Sequence, residues 1–322
     1  MRNLFLLTVM ILALVVSSCG SKRQAKKGGL QGDISISGAF ALYPLAVKWA
    51  DEFQNLHPGV RIDISAGGAG KGMTDVLANV VDLGMVSREI YPPETEKGAL
   101  AFAVAKDAVV ATVNAGNPDL ENLMKTGLTR EAAIKLWITA EYKTWGQITG
   151  SANTGAIHVY TRSDACGAAE TWALWMGKKQ EDLTGTGVFG DPGLATAIQK
   201  DILGIGLNNI GYVYDETSRK PNPGMLPLPI DVNNNGTLDS TELFYDTKDE
   251  VIKAIAEDRY PSPPARDLYL VSKGTPTKPA VVEFIKYILT DGQKHNIPAG
   301  YISLPNEKLQ KGLKELKIEN EK

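Results

Sequence analysis

The chain has 322 residues, with 34 basic and 37 acidic side chains, three histidines and two cysteines. That length points to two domains rather than one, and 43% hydrophobic with 22% charged residues excludes a disordered polymer. A net charge of -3 gives no positive field for nucleic acid, so no nucleic-acid partner is expected, and two cysteines cannot build a disulfide scaffold.

The chain opens with MRNLFLLTVMILALVVSSC, in which Arg2 precedes an apolar run from Leu4 to Val16 broken only by Thr8. The run is shorter than the roughly 20 residues of a membrane span and suits the core of a signal peptide, read as residues 1-18. Val16-Ser17-Ser18-Cys19 resembles a bacterial lipobox, which implies cleavage before Cys19 and lipidation of its thiol; the alternative is an ordinary signal peptide with an incidental cysteine. Residues 19-32 are polar, basic and glycine-rich and read as a lipidated tether. The expected location is the bacterial cell envelope, on a lipid anchor facing the periplasm or the cell exterior.

Ile34 to Ser37 alternates like a strand, and Tyr43-Pro44 opens a helix that stops before His57-Pro58-Gly59. A strand at Val60 to Ile64, a glycine-rich turn over 66-72, a helix over 73-80 and a strand at Asp82 to Val86 follow. Ala101 to Val113 reads as a long apolar strand. Helices are expected over 129-138 (capped by Thr129), 168-176, 195-202, 247-257, 279-290 and in the Lys/Glu-rich tail 306-322. Strands are expected at 158-160, 210-214 and 268-271, and the Pro-rich segment 221-229 reads as a break. Alternating strands and helices give an α/β class with a mostly parallel sheet.

Three strand-to-helix loops carry the chemistry: Gly38-Ala39-Phe40-Ala41, Gly67 to Gly72, and Asp164-Ala165-Cys166-Gly167. Helix N-termini present unpaired N–H groups and a positive dipole end to anions. Gly67 to Gly72 does not match the P-loop spacing.

Ile36 to Ala46 with Lys48 to Phe53, then Gly67 to Gly72, Val81 to Glu89, Thr144 to Gly150, Arg162 to Gly167 and Ile210 to Val213 resemble, in that order, the landmarks of phosphate-specific solute-binding proteins of bacterial ABC importers. The resemblance implies a two-lobed periplasmic-binding-protein fold of type II, each lobe a mixed, mostly parallel sheet flanked by helices. It implies no enzymatic activity, a small oxyanion ligand such as phosphate, and an ABC permease as partner. It also implies an anion held by Ser and Thr hydroxyls, loop N–H groups, an arginine and a carboxylate. Here alanine, phenylalanine or cysteine replaces most hydroxyls, at Ala39, Phe40, Ala41, Ala69, Cys166 and Ala168. Arg88, Arg162, Asp164 and Ser87 are retained, and Gly38, Gly68, Gly70 and Gly167 complete the expected ligand set. Each charge-assisted bond is worth roughly 1.5–3 kcal/mol, so the ligand is either a different anion or phosphate held mainly by backbone amides and arginine.

Asp231 to Glu242 matches the twelve-residue calcium-loop pattern D-x-[DN]-x-[DN]-G-x5-E. Side-chain oxygens of Asp231, Asn233 and Asn235, the Thr237 carbonyl, Asp239 directly or through water, and two oxygens of Glu242 would hold Ca²⁺ in a structural role. The alternative is an Asn/Asp/Gly turn that binds nothing. Cys166 with His158 eight residues earlier raises a nucleophilic enzyme as a further alternative, and a surface lipoprotein reusing the fold for adhesion or signalling is another.

The expected organisation is lobe 1 from 33-113 and 266-322, and lobe 2 from 114-265 carrying the loop 231-242. Crossings near Val113 and Ala265 act as the hinge. Arg88 is expected to reach the ligand from lobe 1 and Arg162 from lobe 2, with closure presenting a surface to the permease.

Overall fold

The computed structural model describes residues 29–317. The expected signal peptide, Cys19, most of the tether and the last five residues of the tail lie outside the described residues.

The alternating segment at the start forms β1 (Gln31–Gly38), which turns into α1 (Tyr43–Leu56) with Pro44 in the first turn. Leu45, Trp49 and Phe53 recur at helical spacing and are buried on one face. Then come β2 (Gly59–Ala66), α2 (Ala69–Leu77), β3 (Leu83–Val86), a short α3 (Pro92–Glu96) and β4 (Ala99–Asn114). The second glycine-rich loop is shorter than expected, because Ala69 to Gly72 form the first turn of α2, with Ala69 and Gly72 on its buried face.

The chain continues with α4 (Leu120–Thr126), α5 (Arg130–Trp137), α6 (Trp145–Thr149), β5 (His158–Arg162), α7 (Gly167–Trp175), β6 (Thr186–Val188), α8 (Gly190–Lys200) and β7 (Gly204–Asn209). Thr129 caps α5, its side chain accepting from the Ala132 N–H at 3.1 Å. A short α9 (Ile210–Val213), β8 (Met225–Leu228), α10 (Lys248–Ala256), β9 (Ala265–Lys273), α11 (Pro279–Leu289) and α12 (Asn306–Lys317) complete the described chain.

The strand expected at 210-214 is helical, and the strand of that region is β7, just before it. Its Gly and Asn residues hide it from propensity, but it is buried throughout between β4 and β5. The Pro-rich segment contains β8, which pairs with β4 alone, so Pro227 sits on an edge where its missing N–H is tolerated.

The strands run in the order β2-β1-β3-β9-β4-β7-β5-β6, with β8 on β4. β1 pairs in parallel with β2 and β3, and β5 with β6 and β7, while β4 and β9 are antiparallel to their neighbours. Two separate hydrophobic cores result. One gathers residues from Ile34 to Ala105 with Leu268 to Leu316, the other residues from Ala108 to Ala265 with Ile302.

β4 belongs to both. Its residues 99–108 pair with β9 and its residues 109–113 with β7. The chain therefore changes lobe next to Ala108, earlier than the crossing expected near Val113. A continuous apolar strand carries no sequence mark at the point where its partner changes. The return crossing lies at the start of β9.

Candidate functional site

The loops after β1, β3 and β5 meet where the two lobes close on each other. The Gly38 carbonyl accepts from the N–H groups of Gly67 and Gly68 at 2.9 and 3.0 Å, and the Ala39 N–H donates to the Met85 carbonyl at 2.9 Å. The first and second loops are thus one unit, seated on β3. Across the cleft the Gly70 N–H donates to the Ala165 carbonyl at 3.1 Å, and the Tyr91 hydroxyl to Glu170 Oε1 at 2.5 Å. A methyl group on Gly167 would overlap the Ser87 carbonyl and hydroxyl. Lobe 2 and lobe 1 are thus in close contact there. Ala69 and Ala168 are buried in the first turns of α2 and α7.

Arg162, at the end of β5, lies at the floor of the cleft with its side chain fully buried. Its Nε and Nη2 donate to Asp164 Oδ1 and Oδ2 at 2.9 and 2.6 Å, and its Nη1 donates to Asp191 Oδ2 at 2.6 Å. Burial works against the charged guanidinium, but Asp191 and Asp164 outweigh it and hold its pKa above the ordinary range. Asp191, in the first turn of α8, also accepts from the Asn209 amide. Arg266, where the chain returns to lobe 1, bonds Asn209, donates to the Gly167 carbonyl at 2.8 Å and faces Asp107 at 3.4 Å. Burial pushes the Asp107 carboxyl up to about 6, against the pull of Arg266. A buried chain of alternating charge and amide therefore runs under the cleft from the third loop to the hinge.

Phe40 roofs this floor. Its ring centre is 5.7 Å from the Arg162 guanidinium carbon and 5.9 Å from the Phe189 ring, edge to face. Its carbonyl accepts from the Tyr212 hydroxyl at 3.1 Å, and the neighbouring Ala41 carbonyl accepts from the Tyr301 hydroxyl at 2.8 Å. The third loop is clamped by Gln180, whose Oε1 accepts from the Cys166 N–H at 3.0 Å and whose amide donates to the Asp164 carbonyl at 2.6 Å.

Cys166 is the N-cap of α7, its sulfur accepting from the Ala169 N–H at 3.4 Å. Burial pushes its thiol up to about 12, with Arg162 opposing. His158 does not serve it: its Nδ1 lies 2.7 Å from Asp201. Titration with a thiol reagent at pH 8 is expected to leave Cys166 unmodified in the folded protein and to modify it after denaturation. Rapid reaction of the native thiol would contradict this assignment.

Arg88 does not reach the floor. Its Nη1 and Nη2 donate to the two carboxylate oxygens of Glu94 at 2.9 and 2.7 Å, and its guanidinium stacks on Tyr91 at 4.4 Å. Glu94, six residues along, holds it much as Asp164 and Asp191 hold Arg162. It lines a cavity of about 670 Å³ at the mouth of the cleft, with Gly70, Tyr91, Ala165 and Glu170. Sequence reasoning also missed Asp191, Asn209, Gln180 and Arg266, which only the strand order brings to the loops.

The loop 231-242 is a separate feature of lobe 2, packed on α4 and Leu128. Among the described residues no group of three or more His, Cys, Asp or Glu side chains is placed to hold a metal ion. No helix there is long and apolar enough to cross a membrane.

The family model of the PBP superfamily domain matches residues 23–292. The chain is 26% identical to the phosphate-binding protein PstS of Pseudomonas aeruginosa, over 90% of this chain and 89% of that one. It is 23% identical to PstS of Staphylococcus haemolyticus, over 96% and 95%. A putative phosphate ABC transporter substrate-binding protein with bound phosphate from Clostridium perfringens superimposes with a TM-score of 0.69 at 21% identity, covering 85% of this chain and 100% of that one. An ABC-type phosphate transport receptor from Vibrio cholerae gives 0.60 at 20% identity, covering 84% and 100%. The fold is the two-lobed one that the sequence motifs imply, and the relatives are binding proteins rather than enzymes. The chain belongs to the PBP superfamily and is a binding protein, not an enzyme.

Proposed function

We propose that this chain is an extracytoplasmic solute-binding protein, anchored through a lipid on Cys19, that captures phosphate or a related protonated oxyanion between its lobes and delivers it to an ABC permease. The observation that carries the ligand class is Arg162 at the cleft floor with Asp164 and Asp191 already on it. An oxyanion that approaches this guanidinium also meets two carboxylates. An ion that only accepts hydrogen bonds is repelled there, whereas one that keeps a proton donates it to a carboxylate. Phosphate and arsenate retain a proton at neutral pH and sulfate does not.

Phe40 covers Arg162, so entry requires the lobes to part, and closure seats the ligand against both. The small side chains at Ala39, Ala41, Ala69 and Ala168 supply no hydroxyl donors, which makes the site weaker than one lined by serine and threonine.

Calorimetry on the purified body is expected to show phosphate binding no tighter than about 1 μM and no measurable heat from sulfate. Sulfate binding equal to phosphate would overturn the carboxylate filter. Absence of binding by phosphate and arsenate at millimolar concentration would overturn the oxyanion reading, and favour a surface lipoprotein that reuses the fold. For the anchor, a Cys19→Ala variant is expected to leave the membrane fraction; retention there would refute it.

A further inference from the structure

We propose that the loop from Asp231 to Glu242 is a binding site for a divalent cation of calcium's size, independent of the cleft. Asp stands at the first position of the loop, Asn at the third and fifth, Gly at the sixth and Glu at the twelfth. The two carboxylates at its ends are buried, Asp231 1% and Glu242 4% exposed. They are brought together: Glu242 Oε1 accepts from the backbone N–H of Val232, next to Asp231, at 2.7 Å and of Asn233 at 3.3 Å, and its Oε2 accepts from the backbone N–H of Asp239 at 3.1 Å. Asp231 Oδ2 accepts from the Gly236 N–H at 2.8 Å.

All these partners are neutral. Among the described residues neither carboxylate has a basic group within 4 Å. Neutral amides do not cancel two buried negative charges, and buried charges are paired or bind metal. At the cleft floor Arg162 answers the same need for Asp164 and Asp191. In the loop Arg259 donates to the Thr241 carbonyl at 3.3 Å rather than to either carboxylate, and a bound cation would supply the counter-charge.

The loop is held ready for it. The Leu238 N–H donates to the Lys125 carbonyl at 2.9 Å and the Asp231 N–H to the Leu128 carbonyl at 3.2 Å. A methyl group on Gly127 would stand 2.6 Å from the Leu238 side chain, so loop and α4 are in close contact. Gly236 makes the sharp turn at φ +83°. Asp231, Asn233, Asn235, the Thr237 carbonyl and both oxygens of Glu242 supply an all-oxygen set, the preference of calcium rather than of a transition metal. Asp239 stands apart, its Oδ1 taken by the Thr241 N–H at 2.8 Å and its Oδ2 by the Asn233 amide at 3.0 Å, which leaves it to act through water.

Thermal melting of the full mature chain tests this, in millimolar calcium, in millimolar magnesium and in chelator. Calcium is expected to raise the melting temperature by about 4 °C and magnesium by less. Glu242→Gln is expected to abolish the calcium shift, so that the variant melts alike in calcium and in chelator. Asn233→Ala, at an exposed position, is expected to reduce the shift without touching the buried carboxylates. Identical melting with calcium and chelator would overturn the proposal. So would a Glu242→Gln variant that keeps the full calcium shift.

Discussion

An Arg162→Ala variant is expected to lose about 3–5 kcal/mol of stability, together with any anion binding. From the sequence alone, the residue reads as a ligand arm whose removal abolishes binding and leaves the fold intact. The structure gives it a second task. Its side chain is fully buried and is the cationic partner of both Asp164 and Asp191, themselves 8% and 2% exposed. Truncation leaves two carboxylates buried at the cleft floor with no cation on them, and that penalty exceeds the loss of the bonds themselves. Adding Asp191→Asn to the truncated background is expected to restore part of the loss, since it removes one of the orphaned charges. Denaturant titration of the two variants and the parent reads both effects. A loss below about 1 kcal/mol for the single variant, the range of exposed ion pairs, would refute the structural role.

A Gly167→Ala variant is expected to do the opposite: to spare stability and prevent closure. Gly167 begins α7 in lobe 2, and the methyl group would run into the Ser87 carbonyl and hydroxyl of lobe 1. Each lobe keeps its own core, so the penalty falls on the closed arrangement. If closure is held to about 1% of molecules, apparent ligand affinity falls about 100-fold, while the denaturation midpoint changes little. Small-angle scattering reports the consequence without any ligand, as a larger radius of gyration than the parent. A compact variant with unchanged affinity would show that the two backbones yield at this point.

Much of the architecture is legible in the residues, because the strand and helix periods at the start of the chain are clear and the loop motifs occur in order. The errors have physical causes. Ile210 to Tyr214 reads as a strand from its apolar and aromatic content, while the true strand, Gly204–Asn209, is held by neighbours on both sides rather than by propensity. The three loops are legible because glycine before a helix is a local signal. Asp191 gives no such signal, because it lies 29 residues from Arg162 and only the placing of α8 beside β5 brings it near. The Arg88–Glu94 pair, six residues apart, is by contrast a local signal in the sequence. In the sequence Phe40 is a missing donor, and only the folded chain shows it as a roof over Arg162.

The position of β9 has a consequence for how the protein is made. In the sheet it lies between β3 and β4, strands that are complete more than 150 residues earlier in the chain. During synthesis or export the second lobe, drawn almost wholly from one unbroken stretch, is complete while the first still shows two open strand edges. Those edges carry Met85, Val86, Phe102 and Val104, all buried in the finished protein. Unpaired apolar edges invite association with other chains. A nascent or truncated chain ending before Ala265 is therefore the form most exposed to aggregation, and the arrival of one nine-residue strand seals both edges at once.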